Sequence, residues 1–408
     1  MIKRLSYLGL TALVALSSCS NDSDSKGEPD VKPNQGSAAL QITREGEKTI
    51  SVANKLSFKL LESAVSENAE AAHVCLSPVS VLEILDAIAN GSDAVGQQKI
   101  LSELDLSGVS GLADLNQLCT EFTNKLGKLD SEVTFAESNS LWVTPGYKVN
   151  TNYEKFYADM KGVVVDDAPY GVEGMVNINR FVESKTNGMI TDFLKYPLDE
   201  SNTAVLLNAG YFKGNWVAPF EKSHSFSGSF NNADGTKCNV TYMKATGSLR
   251  CAESDDYVMV NIPFGSDVYS MSFILPKDSL SNAIPTNEEW EALAKTLSYE
   301  EIDLELPKFS VAYSADDMLS HFSGLNNITC PGILAASPAM SINRVLHSAK
   351  VSIDEQGCEA AGATLGGSLT IGGTPVQPEP LHFNRPFTFV ISEKTTGALI
   401  FIGHIKGF

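Results

Sequence analysis

The 408-residue chain contains no G-x-S-x-G, H-E-x-x-H, G-x-G-x-x-G or Walker A sequence, and no pair of cysteines spaced Cys-x-x-Cys. These absences remove the hydrolase elbow, the zinc-protease helix, the dinucleotide cradle, the P-loop and thioredoxin-like chemistry. The histidines, His73, His224, His321, His347, His382 and His404, are scattered. A lone strand histidine is usually a satisfied core residue, so no metal, no cofactor and no enzyme is expected. Positive charge is scarce too: 30 Lys and Arg face 49 Asp and Glu, a net charge of -19. Such a balance argues against nucleic acid as a partner.

Residues 1–18, MIKRLSYLGLTALVALSS, place Lys3 and Arg4 before an apolar stretch from Leu5 to Leu16. That pattern is a secretory signal peptide, too short for a membrane span. Leu16, Ser17, Ser18 and Cys19 resemble a bacterial lipobox, in which Cys19 becomes the lipidated mature N-terminus. Removing the leader leaves 28 cations against 49 anions, a net charge of -21. In residues 19–47, Cys19 is followed by SNDSDSKGEPDVKPNQGS, too polar to bury a core, and this span should form a flexible acidic tether. Its acidic start is similar to signals that send some lipoproteins to the cell surface. The expectation is an outer-membrane lipoprotein, facing the medium or the periplasm, that touches the membrane through Cys19 only.

From residue 48 to 408 no second linker or repeat interrupts the pattern, so one large domain is expected. Helical spacing comes first, in KLSFKLLESAV, SVLEILDAIANG and GLADLNQLCTEFTNKLGKL. Strand patterns follow in AVLLNAGYF, YVMVNIPF, YSMSFILP, EIDLELPKFSV, FTFVI and ALIFIGHI. Helices early and strands late indicate an α+β fold. Cys238 and Cys251 flank NVTYMKATGSLR, which has the look of two strand edges around a turn. They are expected either as a hairpin disulfide or as two free thiols.

One stretch needs a special explanation. DEQGCEAAGATLGGS, residues 354–368, is made mostly of small residues and lies between strongly apolar strand patterns near the end of the chain. Side chains alternate across a strand, so every second residue would face a core if this segment entered a sheet. Counting from Cys358, that set is Cys358, Ala360, Gly362, Thr364, Gly366, Ser368 and Thr370, all small and uncharged. The other face holds Glu359, Ala361, Ala363, Leu365, Gly367, Leu369 and Ile371, with the one charge and all the bulky groups. No proline interrupts the run before Pro375. The segment is composed to live in two environments.

It joins LSPVS (76–80), NAGYFKGNWVAPF (208–220), FVESKTNGMITDFL (181–194), LPKFSV (306–311), FNRPFTFVI and GALIFIGHI. This set resembles the serpin family over nearly everything from residue 48 onward. The resemblance implies three β-sheets, eight or nine helices and an exposed reactive-centre loop at about 355–382. It implies a monomeric, covalent suicide inhibitor. A protease cleaves the loop, forms an acyl-enzyme and is carried along as the freed segment inserts into the central sheet. Fifteen residues at roughly 3.3 Å each span about 50 Å.

The resemblance also assigns residues. The hinge is Glu355, Gly357, Cys358, Glu359, Ala360, Ala361, Gly362, Ala363 and Thr364, with Cys358 where Thr or Ser is usual. Ser77, Ser80, Asn208 and His347 match a polar cluster under the opening sheet, and Trp216, Lys308 and Glu355 match the insertion mouth, where Lys308 and Glu355 would pair on the surface. Phe181 replaces the usual Trp of its helix. Counting from the hinge glycine selects the bond Ile371–Gly372, with Leu369, Thr370 and Thr374 as alternatives. No Lys or Arg lies between Glu355 and Arg385, so elastase-like serine or papain-like cysteine endopeptidases are the expected targets. The alternative is a non-inhibitory, serpin-fold binding protein at the cell surface, which bulky or charged hinge residues would have favoured.

Overall fold

The fold is known from a computed structural model, which describes residues 40, 42–106, 111–198, 203–279, 281–315, 317–322, 324–325, 328–335, 341–342, 344–358 and 380–408. The expected leader 1–18, Cys19, the hinge residues Glu359, Ala360, Ala361, Gly362, Ala363 and Thr364, and the bond Ile371–Gly372 with its alternatives lie outside the described residues.

Among those residues are seven α-helices and three short 3-10 turns, against the eight or nine helices expected. The helices are α1 (Arg44–Glu67), α2 (Pro78–Gly91), α3 (Ala94–Glu103), α4 (Gly111–Lys125), α5 (Thr151–Asp159), α6 (Gly171–Lys185) and α7 (Asn287–Lys295). The strands are β1 (His73–Leu76), β2 (Val133–Val143), β3 (Val163–Val165), β4 (Ala204–Asn215), β5 (Phe226–Asn231), β6 (Lys237–Glu253), β7 (Tyr257–Phe264), β8 (Tyr269–Pro276), β9 (Ser298–Pro307), β10 (Phe309–Ala315), β11 (Ile328–Thr329), β12 (Ser341–Ile342), β13 (Val345–Ile353), β14 (Gly357–Cys358), β15 (Pro380–His382), β16 (Phe387–Glu393) and β17 (Leu399–Ile405).

They form three sheets, and the class is α+β as expected. A nine-stranded sheet runs β1-β17-β16-β8-β7-β6-β9-β15, with β5 on β6; a six-stranded sheet runs β10-β13-β14-β4-β2-β3; β11 and β12 make a ribbon. The apolar strands read from sequence recur as β4, β7, β8, β16 and β17. EIDLELPKFSV, however, is divided between two sheets. Pro307, which cannot donate to a ladder, ends β9 in the nine-stranded sheet, and Phe309 starts β10 in the six-stranded one. Lys308 is left at the corner.

Helix α2 shows why the site sits where it does. It begins with Ser77 as N-cap, its side chain accepting from Ser80 N, and Pro78 in the first turn, and ends at Gly91. SVLEILDAIANG is apolar nearly all round, which marks a buried helix. It packs against β4 of one sheet and β17 of the other. Its two carboxylates, Glu83 and Asp86, are therefore buried.

Two expectations need correction. Helix α1 starts at Arg44, inside the span expected as tether, because Thr43 caps it and Glu45 and Glu47 suit the positive end of the helix dipole. Cys238 and Cys251 do not flank a turn: both lie in β6, one continuous 17-residue strand. Thirteen residues along a strand separate them by about 43 Å, far beyond the ~7 Å limit between bridged Cα atoms. No described cysteine is disulfide-bonded. A reducing agent should accordingly leave the melting temperature of the protein unchanged; a fall of several degrees on reduction would contradict the continuous strand.

Candidate functional site

In the middle of the six-stranded sheet, β13 and β4 run parallel, with Val345 opposite Leu206, His347 opposite Asn208 and Lys350 opposite Tyr211. Above Lys350 the pair parts. The chain leaves β13, reverses and puts β14 between its two neighbours, Cys358 opposite Ile353 on one side and Gly214 on the other. Strand β14 is antiparallel to both. A parallel pair joined by a reversed segment is a seam into which one more strand can hydrogen-bond on both edges.

The reversal is written in Asp354-Glu355-Gln356-Gly357. Asp354 Oδ1 accepts from Gln356 N at 2.8 Å and Gly357 N at 3.3 Å, the short-range bonding for which Asp is favoured in turns. Asp354 N donates to Gly357 O at 2.8 Å. Gly357 has φ +152°, and a Cβ there would lie 2.1 Å from Gly214 O, so only glycine fits. Cys358 is fully buried and its thiol donates to Phe212 O at 3.1 Å. Its side chain thus points into the core, as the small-residue alternation requires.

The mouth of the seam is built from the predicted Trp216, Lys308 and Glu355, with additions. Trp216 donates from its backbone N to Gln356 O at 2.8 Å and from Nε1 to Asp354 O at 3.0 Å, while its ring stacks on Phe264 at 4.3 Å between centroids. Glu355 is only 2% exposed. Its Oε1 accepts from Lys308 Nζ and, at 2.6 Å, from the Ser225 hydroxyl. Burial pulls this carboxyl upward, but the Lys308 and Ser225 bonds outweigh it and hold it below the usual carboxylate range. The expected surface pair is therefore half-buried: the Lys308 side chain reaches solvent, while Glu355 is enclosed, its backbone O taking Phe220 N at 2.8 Å, which fixes the turn against the strand end.

Under the seam the structure brings Ser77, Ser80, Asn208 and His347 together, all fully buried. Ser77 N donates to His347 Nε2 at 3.2 Å. With Nε2 accepting, Nδ1 carries the proton and donates to Asn208 Oδ1 at 3.2 Å, across the seam itself. Asn208 Nδ2 donates to Asn139 Oδ1 at 2.8 Å, and Asn139 Nδ2 to Glu83 Oε2 at 2.6 Å. Every donor points the same way, from α2 through β13, β4 and β2 and back to the Glu83 carboxylate on α2. Burial pushes His347 down to about 3, which keeps the ring neutral. Asn139, Glu83 and Glu137 were not among the predicted residues. Glu83 carried a visible signal, being one of two carboxyl residues in a mostly apolar helix; Asn139 and Glu137, in the mixed strand sequence VTFAESNSLWV, carried none. Phe181 sits edge-on to Trp142 at 5.5 Å between centroids and fills its aromatic position.

Comparison with known proteins agrees with this geometry. The family model described as Serpin (serine protease inhibitor) matches residues 51–406. Serpin-ZX of Arabidopsis thaliana is 25% identical over 388 residues, 88% of this chain and 97% of that one. A serine protease inhibitor of Cyanea capillata is 26% identical over 381 residues, 87% and 97% respectively. Among solved structures, the thermophilic serpin tengpin in its native state superposes with a TM-score of 0.77 at 25% identity, covering 88% of this chain and 94% of its own. Human thyroxine-binding globulin superposes with a TM-score of 0.78 at 20% identity, covering 89% and 99%.

Reversing the charge at the mouth tests its geometry. Glu355→Lys sets two cations against each other beside the Ser225 hydroxyl, and breaking a buried pair typically costs about 3 kcal/mol or more. The variant should melt several degrees lower and form higher-mass species on a sizing column when warmed. A variant with parental melting that remains a single monomeric peak would contradict the assignment of Glu355 to the mouth.

Proposed function

The chain belongs to the serpin family, whose members are typically protease inhibitors, and we propose that it is a covalent suicide inhibitor of elastase-like serine or papain-like cysteine endopeptidases. The observation that carries this reading is the reversal at Asp354–Gly357, which seats Cys358 between β13 and β4. A strand continued from Cys358 in the same direction would run down the seam, antiparallel to both neighbours. Its inward positions would be Ala360, Gly362, Thr364, Gly366, Ser368 and Thr370, which need little space.

In the proposed mechanism the protease attacks the bond Ile371–Gly372 and is acylated by Ile371. The hinge, Gly357 to Thr364, then follows Cys358 into the seam, past the mouth formed by Trp216, Lys308 and Glu355. Opening the seam breaks the bond between His347 and Asn208; the inserted strand replaces it with ladder bonds on two edges, each worth about 1 kcal/mol net. The acylated protease is displaced and its active site distorted, and a misplacement of about 1 Å can slow catalysis a hundredfold. Lipidation at Cys19 after removal of residues 1–18 would hold this inhibitor on the outer membrane, within reach of proteases in the medium or the periplasm.

Incubation with an elastase and, separately, with a papain-like protease tests the proposal. One of them should yield a species stable in detergent at the summed mass of both proteins, and a released C-terminal fragment beginning at Gly372. Clean cleavage in the loop without any adduct would instead support a non-inhibitory binding protein on the same fold.

A further inference from the structure

The relay under the seam ends at a pair of facing carboxyl groups. Glu83 on α2 accepts from the Thr123 hydroxyl and from Asn139 Nδ2, each at 2.6 Å. Glu137 on β2 takes the Ser80 hydroxyl on Oε1 at 2.6 Å. Ser80 and Glu83 share one face of α2, and Glu137 and Asn139 share one face of β2, so the two cross-bonds at 2.6 Å set the carboxyls side by side. Two buried carboxylates cannot lie so without a proton between them. Glu83 already takes two donors, so the proton sits on Glu137 and is donated to Glu83. Both residues line a cavity of about 220 Å3 between α2, the end of α4 and β2.

The groups around the pair are mostly neutral or acidic. Burial keeps Cys119 of α4, Tyr157 of α5 and Tyr269 of β8 protonated. Asp86, one turn along α2, is pushed up to about 8 by burial and by the Glu83 charge. Positive charge comes only from Lys128 and Lys161 at the cavity rim, among the described residues lining it. Burial raises Glu83 and Glu137 above the usual carboxylate range, and for Glu137 the charge of Glu83 adds to this.

The two carboxyls bridge parts that must separate if the seam opens. Strand β2 is laddered to β4 from Val133 opposite Gly214 to Val143 opposite Ala204, so the two strands move together. Helix α2 touches β4, but it packs more extensively on β17 of the other sheet and on α3 and α4, which hold it in place. Parting β4 from β13 therefore carries Glu137 and Asn139 away from Glu83 and Ser80.

We propose that the Glu83–Glu137 pair is a proton latch on the seam: with the shared proton it ties β2 to α2, and loss of that proton sets two carboxylates face to face and frees the β2–β4 half of the sheet to shift. The sign follows from where the proton is held more tightly. The closed seam binds it more strongly than an open, hydrated one, so closure is favoured at low pH and the preference is lost as pH rises through the closed-state value. His347 stays neutral throughout, being held at about 3. The latch rests on the seam opening proposed above, and its test separates the two.

A synthetic peptide with the sequence of residues 359–371, acetylated and amidated, has no group that titrates between pH 6 and pH 9. Its incorporation into the full chain, followed by native gel, should accelerate about tenfold across that range, the factor for one unit of difference in proton affinity between closed and open seams. Glu137→Gln keeps a hydrogen-bonding side chain but cannot ionise, and its rate should change less than twofold. Lys161→Ala should move the rise to higher pH, because the cation no longer favours the ionised pair. Asp86→Asn should keep the rise, since Asp86 bonds to Asn90 and not to the relay. Incorporation at one rate throughout the range in the parent chain, an unchanged rise in Glu137→Gln, or loss of the rise in Asp86→Asn would each overturn the latch while leaving the seam. No incorporation at any pH would overturn both.

Discussion

The structure depends on one constraint: β13 and β4 are parallel neighbours, and the chain leaving β13 turns back between them. Any strand that continues this turn is antiparallel on both sides, the orientation that gives perpendicular, closely matched ladder bonds. Such an arrangement is stable only while the reason for staying parted at the top and closed below remains balanced. Gly357 and the Asp354 turn hold the top parted, since no other residue fits against Gly214 O. The direct pairing from Val345 to Lys350 holds the lower part closed.

Polar groups in the core make sense in that light. An apolar filling would close the seam with no directional preference, whereas the relay from Ser77 through His347, Asn208 and Asn139 to Glu83 specifies one register. A half-satisfied relay would be worse than none, because each unpaired buried group costs about 1–3 kcal/mol. The mouth repeats the principle: Glu355 is buried and is held by a cation, a hydroxyl and backbone bonds from Trp216 and Phe220 at the neighbouring turn. In the mechanism proposed above, opening the seam would exchange these specified contacts for a longer ladder, and the closed state would then not be the most stable one.

Much of this was legible from the residues. The small-residue alternation from Cys358 follows from the period of a strand, and the burial of Cys358 sets its phase. Ser77, Ser80, Asn208, His347, Trp216, Lys308 and Glu355 were picked from motifs; the structure brings the first four together under the seam and the last three together at its upper end, with Glu355 buried rather than on the surface. What remained illegible depends on contacts far apart in sequence. Asn139 is one polar residue in a mixed strand until β2 aligns it with Asn208. Ser225 follows a proline-containing loop, and nothing local points it at Glu355. Lys308 is at a corner because Pro307 ends one sheet, although its surroundings read as a continuous strand. The β6 strand misled in the opposite way: Gly247, in its middle at φ +155°, resembles a turn signal but lies within an unbroken ladder to β9.

In the proposed mechanism the segment gains a double ladder only after it is cut, which would leave the molecule more stable than before. The most direct measurement is the thermal midpoint of the chain nicked within residues 369–374, compared with that of the intact chain. The account predicts a rise of tens of degrees in the nicked form. Equal midpoints would mean that no energy is held in reserve, and would contradict it.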